Sequence, residues 1–192
     1  MSTTTIVPDE LLVTRARGGD LAAFGQLVER HATAVRRLAR GIVGEHDAED
    51  VTQEALMRAF HRLDRFRGEG AFRFWLLRIA HNAALDALAR RRPGERSADR
   101  DPGTASPPGE RTPAEQLELT ERRLRLHEKI DLLTPQHRAV LVLRDLEGLS
   151  YEEIAQVTQT PVGSVKGRLH RARQQLIDLL RANTYDWELP RA

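Results

Sequence analysis

Residues 150–173, which read SYEEIAQVTQTPVGSVKGRLHRAR, decide the fold of this chain. Ser150 and Glu153 have the spacing of a capping box, which predicts that a helix begins there. Thr160 and Pro161 predict the start of a second helix, because proline is favoured at the first helical position. Only three or four residues remain for the turn between these short helices. Such a pair is typical of a helix-turn-helix unit, whose second helix lies in the major groove of DNA.

The surface of the second helix is strongly basic. Residues 161–173 contain four lysine or arginine side chains and no carboxylate. Val165, Leu169 and Ala172 recur at the spacing of a buried helical stripe, which leaves the basic side chains pointing outward. Those outward residues are Lys166, Arg168, His170, Arg171 and Arg173. A solvated basic face is the alternative interpretation, but such a face normally mixes both signs of charge, so the pattern favours DNA binding.

Helical periodicity covers two blocks of the chain, and neither block shows the alternation of a β-strand. Residues 20–92 contain three amphipathic segments, the first of them with Asp20 as its N-cap. Residues 113–182 contain four, with further start signals at Thr112-Pro113 and Thr134-Pro135. We therefore predict an all-α protein with two small helical domains, the second of which is a helix-turn-helix domain.

A segment of a different composition separates the two blocks. Residues 93–113 contain five of the nine prolines, three glycines and no uncharged side chain larger than threonine. Such a segment cannot bury enough apolar surface to offset its ordering entropy, so it is predicted to be a flexible Pro/Gly-rich linker. The predicted order is an N-terminal segment, the first domain, the linker, the second domain and a C-terminal tail: 1–19, 20–92, 93–112, 113–182 and 183–192.

The composition of the 192 residues excludes several kinds of protein. Because the chain has no cysteine, it has no disulfide framework, no thiol nucleophile and no cysteine-ligated zinc. Its 30 basic and 28 acidic residues leave a net charge of +2, which excludes a protein that holds DNA by bulk charge alone. The 28 arginines against two lysines fit either the codon bias of a GC-rich genome or a choice for phosphate and base contacts.

Signatures of enzymes and of membrane proteins are missing as well. There is no HExxH motif, no P-loop and no carboxylate cluster beside a glycine loop, so we expect no enzymatic activity, no metal and no cofactor. No apolar run reaches the length of a membrane span, and the first residues lack the basic start of a signal peptide. We therefore expect a cytoplasmic protein without membrane insertion.

Arginine and aromatic side chains are interleaved in residues 65–75, RFRGEGAFRFW. Beside a glycine-flanked loop, this pattern suits unstacked single-stranded bases, because aromatic faces stack on bases and arginine binds phosphate. The alternative is that Phe72, Phe74 and Trp75 belong to the core, as isolated aromatic rings usually do. We expect some of these rings in the core and a functional role for the loop.

Residues 45–54, EHDAEDVTQE, contain five carboxylates and no lysine or arginine. Two interpretations stay open. Acidic side chains stabilise a helix N-terminus through the helix dipole. An acidic patch on an otherwise basic protein is also typical of a surface that binds a protein partner and repels DNA.

Two long segments resemble the extracytoplasmic-function (ECF) sigma factors of bacterial RNA polymerase. They are DAEDVTQEALMRAF followed by FRGEGAFRFWLLRIAHNAALDALARRR, within residues 47–92, and LTPQHRAVLVLRDLEGLSYEEIAQVTQTPVGSVKGRLHRARQQL at 133–176. The resemblance implies an initiation factor that makes transcription promoter-specific and aids promoter melting. Its first domain is similar to sigma region two, which binds the β′ clamp helices and captures an unpaired base of the minus-ten element. Its second domain is similar to sigma region four, which reads the minus-thirty-five element and contacts the β flap.

Position by position, the resemblance implies three groups of site residues. The core-polymerase group is Asp47, Asp50, Gln53, Glu54, Met57 and Arg58. The minus-ten group is Arg67, Gly68, Glu69, Gly70, Phe72, Arg73, Phe74, Arg78, His81 and Asn82. The minus-thirty-five group is Ser164, Lys166, Arg168, His170, Arg171 and Arg173. The implied partners are core RNA polymerase, double- and single-stranded promoter DNA, and an anti-sigma factor.

Two positions depart from the family pattern. Gln159 stands in the turn where a glycine is common, which predicts backbone strain or a different turn. Gly167 replaces a small polar residue on the DNA-facing side, so one base contact is expected to be missing. An interior glycine also costs roughly 0.5–1 kcal/mol of helix stability.

Two other classes of function compete with this interpretation. A stand-alone transcriptional regulator with a similar helix-turn-helix would usually carry a ligand or phosphoacceptor domain, and residues 20–92 show no α/β pattern. A nucleic-acid enzyme would need a catalytic motif, and the seven histidines of the chain are scattered.

Overall fold

The computed structural model describes residues 7–68, 71–91 and 113–182, and for residues 113–120 and 123 it describes the backbone only. Every regular element in these ranges is a helix, so the predicted all-α class is confirmed. None of the helices in the described ranges is long and apolar enough to cross a bilayer. The predicted linker and tail, 93–112 and 183–192, lie outside the described residues.

The first helical unit consists of α1 (Asp9–Arg17), α2 (Leu21–Val43), α3 (Glu45–His61) and α4 (Phe72–Arg90). As predicted, α2 begins after Asp20, whose carboxylate accepts a hydrogen bond from the backbone N–H of Ala23 at 3.1 Å. It ends at Gly44, whose φ of 89° turns the chain directly into α3. Helices α2, α3 and α4 pack around fully buried side chains that include Leu27, Leu38, Ile42, Leu76 and Leu77. Burial of each of these side chains stabilises the folded state by roughly 1.5–3 kcal/mol.

Helix α1 forms within residues 1–19, where the sequence shows no clear periodicity. Leu12 and Val13 are buried in the core that α1 shares with α2. Asp9 in its first turn lies 2.6 Å from the Nε2 atom of His31 on α2. A helix of nine residues is marginal in isolation, so these tertiary contacts stabilise it and the local pattern gives little sign of it.

The second helical unit consists of α5 (Pro113–Asp131), α6 (Pro135–Leu141), α7 (Tyr151–Thr158) and α8 (Val162–Arg181). Helix α6 continues into a wider π-helical turn, Val142–Leu146. The predicted cap of α6 is present, since the Thr134 hydroxyl accepts a hydrogen bond from the backbone N–H of His137 at 3.3 Å. The capping box of α7 is also confirmed, because Ser150 and Glu153 each accept from the backbone N–H of the other, at 3.2 and 2.6 Å.

The turn of the helix-turn-helix unit comprises Gln159, Thr160 and Pro161, which confirms the predicted length of three or four residues. Pro161 is the N-cap of α8 and not its first helical residue, so the helix begins one residue later than predicted. Gln159 adopts φ 53° and ψ 41°, in the left-handed region. Its backbone N–H closes α7 by donating to the carbonyl of Ala155. For a residue with a side chain, this backbone conformation is about 1–2 kcal/mol less stable than the right-handed one. The strain expected at Gln159 is therefore present.

The two helical units pack against each other. Helix α2 contacts α6, and α4 contacts α7. The apolar core runs continuously from one unit to the other. The helices that carry the predicted DNA-binding residues therefore lie in one compact body, which the sequence pattern does not indicate.

Candidate functional site

Helix α8 is the predicted DNA-reading helix, and its inward stripe is confirmed. Val165, Leu169 and Ala172 are at most 2% exposed, and α8 packs against α6 and α7. The predicted minus-thirty-five residues lie on the rest of the helix surface. Ser164, Lys166, His170, Arg171 and Arg173 are exposed, and Arg168 is half-buried.

Two basic side chains of α8 have partners outside the helix. Arg173 donates to the carboxylate of Asp145, and this hydrogen bond is the main reason why the pKa of Arg173 is raised. The ammonium of Lys166 lies 5.4 Å from the centre of the Tyr151 ring, and the guanidinium of Arg144 lies 5.0 Å from the same centre. A cation–π contact at an exposed site is worth about 0.5–1 kcal/mol. Tyr151 and Asp145 thus help to position the basic face, and no motif signals either of them.

Gly167 lies beneath the side chain of Arg171. A Cβ atom at residue 167 would lie 3.6 Å from Nη1 of Arg171, which is ordinary van der Waals contact. The guanidinium of Arg171 therefore lies close to the helix backbone. The missing base contact expected at Gly167 stays a prediction.

The aromatic rings near the start of α4 form a cluster. Phe66 and Phe72 are 6% and 4% exposed, and their ring centres are 5.8 Å apart. The ring of Trp75 lies 5.3 Å from Phe66 and 5.6 Å from Phe72. The expectation that some of the aromatic rings belong to the core is therefore confirmed.

The other predicted minus-ten residues are spread over the preceding loop and α4. Arg67, Gly68 and Arg78 are exposed, Arg73, Phe74 and Asn82 are half-buried, and Glu69 and Gly70 lie outside the described residues. Arg73 does not point freely into solvent, because its Nη2 atom lies 2.6 Å from the carboxylate of Glu147 in the second unit. Gly68 has φ 77°, a conformation that favours glycine.

His81 is buried in α4, with 7% of its surface exposed. Burial lowers its pKa below the ordinary value of 6.5; a hydrogen bond with Asn82 opposes this shift, and the positive charge of Arg168 adds to it. The imidazole is therefore neutral near pH 7. Because Phe72 and His81 are both buried, contact between either ring and DNA would require local opening, and their predicted roles stay predictions.

The outer side of α3 forms a shallow groove of about 420 Å³, lined by Asp50, Gln53, Glu54, Met57, Arg58 and His61. All but the histidine belong to the predicted core-polymerase group. The side chain of Met57 is 62% exposed, although it is large and apolar. An apolar side chain rimmed by charges is typical of a surface that binds a protein.

Ion pairs connect this groove to α4. Arg58 bridges Glu54 and Asp86, and Arg90 of α4 lies 3.0 Å from Glu54. Partial burial raises the pKa of Glu54, but hydrogen bonds from Arg90 and Arg58 outweigh that effect, and the pKa is lowered. The carboxylate therefore stays charged, and the floor of the groove is held by a network of alternating charges.

The acidic segment stabilises the start of α3, as the first of its two interpretations predicts. Glu45 and Asp47 lie in the first turn of α3, where the helix dipole favours carboxylates. Glu45 also binds Arg40, and Asp47 binds Arg91. Asp50 is exposed and forms no ion pair with another described residue. The first turn thus stabilises the fold, and binding of a partner by the segment stays a prediction.

Comparison with known proteins assigns the family. Residues 27–93 match Sigma-70 region 2, and residues 123–176 match Sigma-70, region 4. The ECF RNA polymerase sigma-E factor of Haemophilus influenzae is 38% identical over 176 residues, which cover 88% of this chain and 93% of that protein. The chain belongs to the ECF sigma factors. The sigma-E factor of Escherichia coli K12 is similarly close, at 39% identity over 175 residues, with 88% and 92% coverage.

Solved structures of sigma factors share this fold. CnrH in complex with the cytosolic domain of CnrY has a TM-score of 0.65 and 34% identity, covering 92% of this chain and 99% of CnrH. RpoE in complex with the anti-sigma factor NepR from Bartonella quintana has a TM-score of 0.61 and 26% identity, covering 83% and 98%. The chain is thus an RNA polymerase sigma factor that directs promoter-specific initiation, and the predicted family and function are confirmed.

Proposed function

We propose that this sigma factor binds core RNA polymerase through the α3 groove and reads the promoter through α8 and the segment around the start of α4. The observation that carries the proposal is the opposite chemistry of two surfaces. The α3 groove combines an exposed methionine with the exposed carboxylate of Asp50, whereas residues 164–173 of α8 contain four lysine or arginine side chains and no carboxylate. Residues 20–92, extended by α1, and residues 113–182 act as the two functional domains.

The α3 groove suits a basic, partly apolar partner surface, for which the β′ clamp helices are our candidate. Met57 supplies an exposed apolar side chain, and Asp50 supplies a carboxylate without an ion pair to another described residue. Complementary charge around an apolar centre gives both orientation and affinity. The second unit contacts the β flap in this scheme.

Helix α8 suits the major groove at the minus-thirty-five element. Its first turn exposes Ser164, whose hydroxyl lies at a helix N-terminus, where the helix dipole favours a phosphate. Arg171 and Lys166 are exposed further along the same face, where arginine and lysine typically contact guanine edges. Arg173 is bound to Asp145, so it must release that carboxylate before it contacts a phosphate.

The loop before α4 captures an unpaired base of the minus-ten element. Exposed Arg67 and Gly68 begin this loop, and Arg78 lies on the exposed side of α4 behind it. Contacts with a flipped base offset an unstacking cost of a few kcal/mol. The protein aids melting by binding energy alone, catalyses no reaction itself, and acts in the cytoplasm beside polymerase.

An anti-sigma factor is the further partner that we propose. Two sigma factors of similar fold have been solved with such proteins or with a cytosolic domain bound. An inhibitor that covers both helical units would compete with core polymerase and promoter DNA at once.

Run-off transcription with core polymerase on a library of genomic promoters tests the proposal. The full chain should produce transcripts from a defined set of promoters, and core polymerase alone should not. A pull-down with core polymerase provides the second readout. Failure to bind core, together with dimeric binding to a palindromic site, would instead favour the stand-alone regulator.

A further inference from the structure

The two helical units meet around one buried carboxylate. Glu147, directly after the π-helical turn of the second unit, has a side chain that is only 4% exposed. Both arginines that bind it belong to the first unit. Nη1 of Arg37 lies 2.9 Å from Oε1, and Nη2 of Arg73 lies 2.6 Å from Oε2. Arg73 also donates to the backbone carbonyl of Glu147 at 3.1 Å.

Burial of Glu147 depends on the two units staying together. A carboxylate loses its hydration when it is buried, and charged donors must compensate for that loss. Here the two guanidinium groups provide the compensation from across the boundary. When the units separate, all three groups return to water, whereas loss of one guanidinium in the docked state leaves the buried carboxylate without full compensation and destabilises that state.

A close backbone approach accompanies the ion pairs. A Cβ atom at Gly41 of α2 would lie 2.9 Å from Cγ2 of Val142, a separation that real Cβ atoms essentially never show. Arg138 of α6 donates to the carbonyl of Ile42 at 3.2 Å. The absence of a side chain at residue 41 thus allows α2 to pack directly against the second unit.

The docked arrangement occupies residues of both proposed DNA-binding surfaces. Arg73 of the minus-ten group is bound to Glu147. Arg168 of the minus-thirty-five group is half-buried, and helix α7 of the same helix-turn-helix unit contacts α4. The two surfaces therefore approach each other, whereas the two promoter elements are separate stretches of DNA.

We propose that Glu147, Arg37 and Arg73 form an interdomain latch that keeps the free sigma factor closed and off the promoter. The latch rests on the proposed role of Arg73 in binding promoter DNA. A guanidinium binds a carboxylate and a phosphate with the same paired geometry. Arg73 exchanges the Glu147 carboxylate for a DNA phosphate when the units separate, which couples opening to promoter binding.

The first experiment weakens the latch without changing a proposed DNA contact. Arg37→Ala should raise the affinity of the polymerase-free chain for minus-thirty-five DNA several-fold, because apparent affinity scales with the open fraction. Loss of a positive charge would by itself lower that affinity. Arg36→Ala is the matched control, since Arg36 pairs with Glu45 and Glu49 within its own unit. An affinity for Arg37→Ala equal to or below that of the control overturns the latch.

The second experiment locks the two units together. Gly41→Cys combined with Val142→Cys places two Cβ atoms 3.8 Å apart, the usual separation in a disulfide. The chain has no other cysteine. The oxidised double variant should lose run-off transcription with core polymerase and regain it on reduction, while the two single variants stay active under the same oxidant.

The outcomes separate the latch from the proposed function. Failure of the disulfide to form, or an oxidised double variant as active as its reduced form, overturns the latch alone. An inactive wild-type chain contradicts the proposed function itself.

Discussion

The carboxylate of Asp145 accepts hydrogen bonds from the guanidinium of Arg173, although 28 residues separate the two along the chain. One basic side chain of the predicted DNA-reading face is therefore already neutralised within the protein. The pair therefore lowers the number of free positive charges that α8 presents to a phosphate backbone.

Asp145→Asn should strengthen DNA binding, because it releases Arg173 to contact a phosphate. The affinity of the full chain for promoter DNA should rise. A plot of the logarithm of this affinity against the logarithm of the salt concentration should become steeper by about 0.9. Glu152→Gln removes an equal charge from an exposed position of α7 and is the control. Equal slopes for the two variants would show that Arg173 gains no phosphate contact.

Arg171→Ala should lose discrimination between the correct and a mutated minus-thirty-five sequence by about 1–3 kcal/mol, the usual worth of a bidentate base contact. Competition binding with both DNA sequences measures it. Arg181→Ala removes the same charge at the end of α8 and should leave discrimination unchanged. An unaltered promoter preference in Arg171→Ala would refute the assigned base contact.

Asp50→Arg should weaken binding to core polymerase, because it reverses the charge on the α3 groove. DNA binding by the free chain should not fall, since the change lies away from α8. Glu10→Arg makes the same reversal at an exposed position of α1 and serves as the control. If core affinity survives Asp50→Arg, the acidic segment acts only on the helix dipole.

Gln159→Gly should raise the free energy of unfolding by about 1 kcal/mol, because glycine adopts the left-handed conformation of that residue without strain. Gln156→Gly, three residues earlier within α7, should lower it by about 0.5–1 kcal/mol, as an interior helical glycine does. Urea denaturation measures both changes. Changes of the same sign would argue against strain in the turn.

Acidification should destabilise the protein through His81. Burial holds the pKa of His81 below its ordinary 6.5, so the unfolded chain takes up the proton first as the pH falls. The stability that neutral His81 contributes is therefore complete above about pH 6.5 and declines below it. Urea denaturation at about pH 7.5 and about pH 5.5 should show a smaller decline for His81→Gln than for the wild type. Identical declines would contradict the shift.

Local signals predicted much of the fold. The starts of α2, α6 and α7 follow Asp20, Thr134 and Ser150, as expected, because a cap satisfies backbone N–H groups only two or three residues away. The buried stripe of α8 was equally predictable, since helical periodicity alone places Val165 and Leu169 on one side. Helix α1 could not be predicted in this way, because its contacts with α2 stabilise it and local signals do not.

The candidate site was predicted only in part. The basic face of α8 and the acidic residues of α3 are visible as runs of charge, and both lie on the surface. The burial of His81 and the ion pair between Arg173 and Asp145 have no signal in the sequence, because each depends on which helix packs nearby.

The sequence by itself determined the helical class, the helix-turn-helix unit and the resemblance to ECF sigma factors, since caps, turns and periodicity act over a few residues. Only the tertiary structure decided which charges are free and which are engaged. Glu147 binds Arg37 and Arg73 across 110 and 74 residues of chain. Contacts at such separations depend on how the helices pack, and the buried carboxylate exists only because packing brings both guanidinium groups to it.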